Sequence, residues 1–166
     1  MRNEVYEMEE DNIFTLQELT DRLTQITAKD IMTKDVITVK KDNTLDDVAE
    51  MMINKRISGF PVLEKNEIIG IVTADDLFLV MDMIKTGEVL KNNSAKNSLP
   101  KVSFAMSTEV ITASPETDLD EIIALMKYRN VRTLPITIEN KMVGVIGRRD
   151  VFSNFYCTLK GICFQK

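Results

Sequence analysis

The sequence predicts an α+β fold built from two copies of one βαββα unit, with an amphipathic helix in front of them. Three observations carry that reading. The stretch from Ile31 to Leu77 recurs 74 residues later, from Ala105 to Val151, without a gap. Register is kept by Met32 with Met106, by Val36, Ile37 and Thr38 with Val110, Ile111 and Thr112, and by Asp76 with Asp150. The shared positions also include Pro61 with Pro135 and Gly70 with Gly144, which punctuate backbone rather than fill a core. A unit of this size does not bury its apolar face alone, so the copies are expected to pair and to place function between them.

Taken in order, residues 12–26 put Ile13, Leu16, Leu19, Leu23 and Ile26 at three- and four-residue intervals, the period of an amphipathic helix. That stripe is expected to lie on the body of the protein or on a second chain, because left bare it invites aggregation. Each repeat opens on a β-branched strand, Val36 to Val39 and Val110 to Ala113. A capped helix follows. Thr44 stands three residues before Asp47 and Asp118 three before Glu121, so a side-chain oxygen can accept from an orphan amide of the first turn. Leu45, Val48, Ala49, Met52 and Ile53 form its apolar face, which Leu119, Ile122, Ile123 and Met126 copy; the methionines read as core filler. Phe60 to Leu63 and Leu134 to Thr137 are strands whose prolines belong at a strand start or an unpaired edge. Turns at 65–67 and 139–141 lead into return strands, and closing helices begin at Asp75 or Asp76 and at Asp150. The expected organisation is an acidic segment and helix over 1–27, a first repeat over 28–90, a polar linker over 91–101, a second repeat over 102–157 and a tail over 158–166.

Composition narrows the functions. With 166 residues, 44% of them hydrophobic, the chain has material for one compact domain or two small interlocked ones. A net charge of −5 argues against general nucleic-acid binding, which needs a basic surface. No apolar run approaches the roughly 18 to 20 residues of a membrane span, and the acidic N-terminus lacks a signal-peptide core, so a cytoplasmic protein without membrane insertion is expected. Cys157 and Cys163 lack metal or redox spacing and read as free thiols. The absence of histidine removes Ser-His-Asp and Cys-His chemistry and the usual zinc ligands, and no Walker loop is present. The chain reads as a non-enzyme.

The strand carrying Val-Ile-Thr, the capped helix, Ser58-Gly59-Phe60-Pro61-Val62 and then Gly70 to Leu77 together resemble the cystathionine-β-synthase (CBS) domain. Two such sets in tandem resemble the paired form called a Bateman module, over roughly residues 28 to 157. The resemblance implies two βαββα units about a pseudo-twofold axis with two clefts between them, each open to an adenosyl ligand. It implies a regulatory ligand such as AMP, ADP, ATP or S-adenosylmethionine, no catalytic cofactor, a homodimer, and a separate effector protein that receives the signal.

The family's glycine, hydroxyl and acid pattern matches at Gly70, Thr73 and Asp76. By resemblance Asp76 accepts from the ribose hydroxyls and Thr73 approaches phosphate, with Ile111, Arg132, Thr133 and Pro135 of the other repeat as the opposite wall and the base against Ile111 and Pro135. Two readings of Arg132 stand, a phosphate contact and a solvated surface cation. The second cleft would hold Ile37, Ser58, Gly59, Pro61, Gly147, Arg148 and Asp150, with Gly147 replacing the hydroxyl of the pattern. There Arg148 and Arg149 either replace the lost phosphate contact or are exposed charges at a helix start that disfavours them. From the residues alone, Asp76 and Asp150 also fit plain helix caps. The first cleft ranks ahead of the second, and a ligand-free dimerisation module is the alternative reading of the whole chain.

Overall fold

The computed structural model describes residues 14–87 and 100–161. Ile13 of the predicted helix, residues 91–99 of the linker and Cys163 lie outside these. Helix α1, Leu16–Leu23, is shorter than its apolar period suggests. Its Thr15 N-cap accepts from the Glu18 amide, and Glu18 accepts in return from the Thr15 amide. Only its C-terminal end docks: Leu23 and the following Ile26 pack on a core, whereas Leu16 is 84% exposed.

The first repeat contains α2 (Ala28–Ile31), α3 (Leu45–Lys55), β1 (Gly59–Glu64), β2 (Glu67–Thr73) and α4 (Ala74–Lys85). The second contains α5 (Val102–Ala105), α6 (Leu119–Tyr128), β3 (Thr133–Ile138), β4 (Lys141–Gly147) and α7 (Arg148–Lys160). Each hairpin turns on two residues with positive φ, Lys65 and Asn66 in one and Glu139 and Asn140 in the other. Left-handed residues at both turn positions match the twist of the flanking strands, and asparagine tolerates them well. Both hairpins slip register at the same place, between Val62 and Leu63 and between Ile136 and Thr137.

The opening strands predicted at 36–39 and 110–113 shrink to single parallel bridges, Val39 to Val62 and Ala113 to Ile136. Proline is the cause. Val39 donates to the Pro61 carbonyl and accepts from the Leu63 amide. The next rung back would need Pro61 to donate to Ile37, and proline has no N–H. Pro135 stops Ile111 in the same way.

The short helices α2 and α5, which the sequence pattern did not reveal, change partners. Thr33, just after α2, exchanges both backbone bonds with Val145 of the second repeat, and Ser107, just after α5, does so with Ile71 of the first. Ala28 and Ile31 are therefore buried with Leu119, Ile122 and Ile146, while Val102 is buried with Val48, Phe60 and Val72. Gly70 and Gly144 permit these crossings: a Cβ on Gly70 would lie 2.9 Å from the Ser107 carbonyl oxygen, and one on Gly144 would lie 2.5 Å from Met32 Sδ. Two cores result, each completed by the leader of the other repeat.

The sheets meet β1 against β3 and β2 against β4. Gly59 and Thr133, equivalent under the 74-residue shift, touch each other, so that a Cβ on Gly59 would fall 2.5 Å from Thr133 Oγ1. Equivalent residues in mutual contact mark the pseudo-twofold axis.

Candidate functional site

Flanking that axis are the starts of α4 and α7, each fixed by an acid at its third position. Thr73 is the N-cap of α4. Its amide and its hydroxyl both donate to Asp76 Oδ2, each at 2.7 Å. Asp76 Oδ1 accepts no hydrogen bond from the described residues, and the carboxylate is half-buried. Asp76 is thus the third-position acid of a capping box: one oxygen anchors the helix start and the other accepts nothing among the described residues. Thr44 is built the same way, donating its amide and hydroxyl to Asp47 instead of accepting from the helix as its spacing suggested, whereas Asp118 does accept from the Glu121 amide.

Across the axis, Arg132 Nε donates to Asp75 Oδ2 at 3.0 Å, with both side chains partly exposed. The first cleft therefore brings together Thr73, Asp75, Asp76, Arg132 and, through Gly59, Thr133. The pair adds to the two readings of Arg132: its Nε is held by Asp75 across the axis while the side chain stays open to solvent. Asp75 was not foreseen as its partner, since charge spacing along a chain does not disclose a contact across a pseudo-axis. Two other expectations need correction. Thr133 is buried at the axis and Pro135 is fully buried, so neither side chain offers the base a surface in this structure. The half-buried Ile111, packed on the second core, remains as apolar wall.

In the second cleft the Gly147 amide donates to Asp150 Oδ2 at 2.8 Å, and Thr33 Oγ1 reaches Asp150 Oδ1 at 3.5 Å. Thr33 comes with the swapped leader, which is why no motif pointed to it. Pro61 and Gly59 are buried, Ile37 packs on the first core, and Ser58 is exposed. Arg148 is not a cleft residue: its Nη2 donates to the Met126 carbonyl at 3.2 Å and to Asn130 Oδ1 at 3.3 Å. A cation there meets the carbonyl end of α6, which the helix dipole favours. Arg149 is exposed and makes no ion pair among the described residues.

A different surface opens on the helix side, where an apolar groove of about 560 Å³ runs between Leu23, Ile123, Met126, Phe152 and Phe155. No group of acids or cysteines able to hold a metal occurs among the described residues. No helix among them is long and apolar enough to cross a membrane.

The CBS domain family model matches residues 28–82 and 102–156. The chain belongs to the CBS-domain family. A CBS domain-containing protein of Bacillus subtilis is 29% identical over 76% of this chain and 83% of its own length. The inosine-5′-monophosphate dehydrogenase of Methanocaldococcus jannaschii is 31% identical over 75% of this chain but only 22% of its own, so the matching region is a minor part of that protein. In fold, this CBS pair is similar to the protein CBSX2 in complex with AMP, with TM-score 0.65, 23% identity and coverage of 77% and 94% of the two chains. It is also similar to the CBS domain pair of protein MJ0100 in complex with 5′-methylthioadenosine and S-adenosyl-L-methionine, with TM-score 0.62, 22% identity and coverage of 79% and 96%.

Proposed function

We propose that this chain is a non-catalytic sensor that binds an adenosyl ligand in the clefts beside the pseudo-twofold axis and passes the change to a separate effector protein. The observation that carries the reading is Asp76. Its carboxylate spends one oxygen on the start of α4 and leaves the other without a partner among the described residues, on a half-buried side chain. A ribose edge supplies the two vicinal donors a carboxylate accepts best. CBSX2 with AMP and the MJ0100 pair with its adenosyl ligands support the class of ligand. The swapped leaders supply a coupling route, since Thr33 and Ser107 tie each repeat to the other and a shift in one hairpin is felt in both. Coupling of about 1–3 kcal/mol between ligand and effector suffices for such a switch.

Asp76→Asn tests the ribose contact, because asparagine retains an oxygen for the Thr73 amide while altering the outer acceptor. A lost hydrogen bond to a charged group costs about 1.5–3 kcal/mol, so adenosine should bind roughly ten- to a hundredfold more weakly by calorimetry with the melting temperature nearly unchanged. Failure of adenosine, AMP, ATP and S-adenosylmethionine to bind the intact protein at millimolar concentration would overturn the sensor reading.

A ligand-free dimerisation module is favoured by a separate observation. Phe78 and Phe152, equivalent under the repeat, are 65% and 71% exposed on α4 and α7, beside Leu79, Met81 and Tyr156. We propose that these helix faces form a homodimer in either case. Light scattering at tens of micromolar should give twice the chain mass, and Phe78→Asp with Phe152→Asp should give the single mass.

A further inference from the structure

The two clefts share a backbone but not a charge. Asp75 of the first cleft meets Arg132 of the opposite repeat at 3.0 Å. Under the 74-residue shift Asp75 becomes Arg149 and Arg132 becomes Ser58. The positions that hold an acid on an arginine in one cleft hold an exposed arginine and an exposed serine in the other. The first cleft therefore carries two acids, Asp75 and Asp76, against one arginine whose Nε is held by Asp75. The second carries one acid, Asp150, engaged by the Gly147 amide and Thr33, beside a guanidinium that no acid among the described residues pairs with.

From this inversion we propose that the clefts divide adenosyl ligands by charge. The Asp150 cleft takes a phosphorylated one, with the phosphate on Arg149 and the α7 start. The Asp76 cleft takes one with an uncharged or cationic 5′ substituent, and Asp75 is the residue that excludes phosphate. The proposal rests on the sensor reading above. Thr73 strengthens it, because its hydroxyl is donated to Asp76 and meets phosphate only by giving up that bond. A phosphate reaching Arg132 would lie beside two carboxylates, one of which already holds the Nε of that arginine. At the second cleft a planar multi-donor cation and the positive end of a helix favour the anion together.

The test is calorimetry on the full chain with AMP as the anionic probe and 5′-methylthioadenosine as the uncharged one. In the wild-type protein the two should bind together without competing. Arg149→Gln should weaken AMP by about tenfold, the usual loss for one charge-assisted contact, and leave 5′-methylthioadenosine unchanged. Asp75→Asn should open the first cleft to AMP, seen as a second equivalent that displaces 5′-methylthioadenosine. Competition between the two probes in the wild-type protein, or AMP affinity indifferent to Arg149→Gln, would overturn the division while leaving the sensor reading standing. Absence of binding by either probe would remove both.

Discussion

Gly59–Glu64 and Thr133–Ile138 share one burial pattern, residue by residue, and so do Glu67–Thr73 and Lys141–Gly147, whereas the clefts beside them differ at almost every polar position. In one, the Thr73 hydroxyl, two acids and an arginine converge; in the other, a glycine, one acid with the Thr33 hydroxyl on it, and an arginine that makes no ion pair among the described residues. The difference separates what packing demands from what a site can vary. The interior positions answer to a neighbour from the other repeat, so a change in one copy must suit both. Side chains at the helix starts face solvent or a ligand and have only chemistry to satisfy.

The comparison is broken most directly in the cores. Phe60 and Leu134 occupy equivalent, fully buried positions. Phe60→Ala should cost about 3–5 kcal/mol and Leu134→Ala about 2–5 kcal/mol of unfolding free energy. Because Val102 completes the first core and Ala28 the second, each variant should still melt in a single transition. A scan of either variant with one transition left at the wild-type temperature would mean that the repeats fold separately.

The leader crossings come next. Gly70→Ala and Gly144→Ala each overpack a crossing, at a typical cost of about 1–3 kcal/mol. Gly70 should be the less tolerant, since its new methyl would press on the Ser107 carbonyl, a backbone atom, whereas that of Gly144 presses on the Met32 side chain. Urea midpoints in the reverse order would show that the Met32 crossing is the tighter one.

These crossings also mark the boundary of what the sequence makes legible. The hairpins, α3 and α6 follow from local signals: turn asparagines, helical-period leucines and acids at the first turn. The repeat itself gives the pairing of the copies. The loss of the opening strands was present in the sequence too, as the missing N–H of Pro61 and Pro135, but it emerges only once the parallel partner is known. The swap of α2 and α5 has no local signature, because four-residue helices carry too little periodicity and their partners lie a whole repeat away. At the site, the Thr73 and Asp76 spacing was readable as a motif, whereas the Asp75 to Arg132 pair and the Thr33 contact to Asp150 depend on the axis. Arg148 was misplaced for the same reason: its partners Met126 and Asn130 end the preceding helix, and spacing does not reveal that.

A smaller effect sharpens the contrast between the helix starts. A Cβ on Gly147 would meet only Asp150 Oδ2 at 3.5 Å and the Arg132 carbonyl oxygen at 3.9 Å, ordinary contacts, and its backbone is extended with φ −100°. The glycine is therefore not required by packing. Gly147 is the N-cap of α7, where glycine is preferred to alanine, and this offsets the gain from restricting the unfolded chain, so Gly147→Ala should leave the stability within about 0.5 kcal/mol of wild type. A urea midpoint lowered beyond this would instead indicate that α7 needs the glycine.

The smallest expected effect lies on the surface of the first repeat, where Lys41 Nζ stands 2.6 Å from Glu64 Oε1. The second repeat has Pro115 and Ile138 at these positions, so the pair has no twin. The hydrogen bond to Glu64, and then its charge, raise the pKa of Lys41 above its ordinary 10.5. A raised folded value means that the stabilisation is fully present below the unfolded pKa and is lost as pH rises through the folded one. Both side chains are more than two-fifths exposed, so water and salt screen the attraction and little of it reaches the stability of the fold. Lys41→Met should accordingly lower the urea midpoint less than the core and crossing substitutions do at neutral pH and low salt. The difference from wild type should close in 1 M salt, where the screening length is about 3 Å, and again above the raised Lys41 pKa. A deficit that persists under both conditions would assign the loss to the packing of the lysine stem and leave the ion pair with no part in what distinguishes the two repeats.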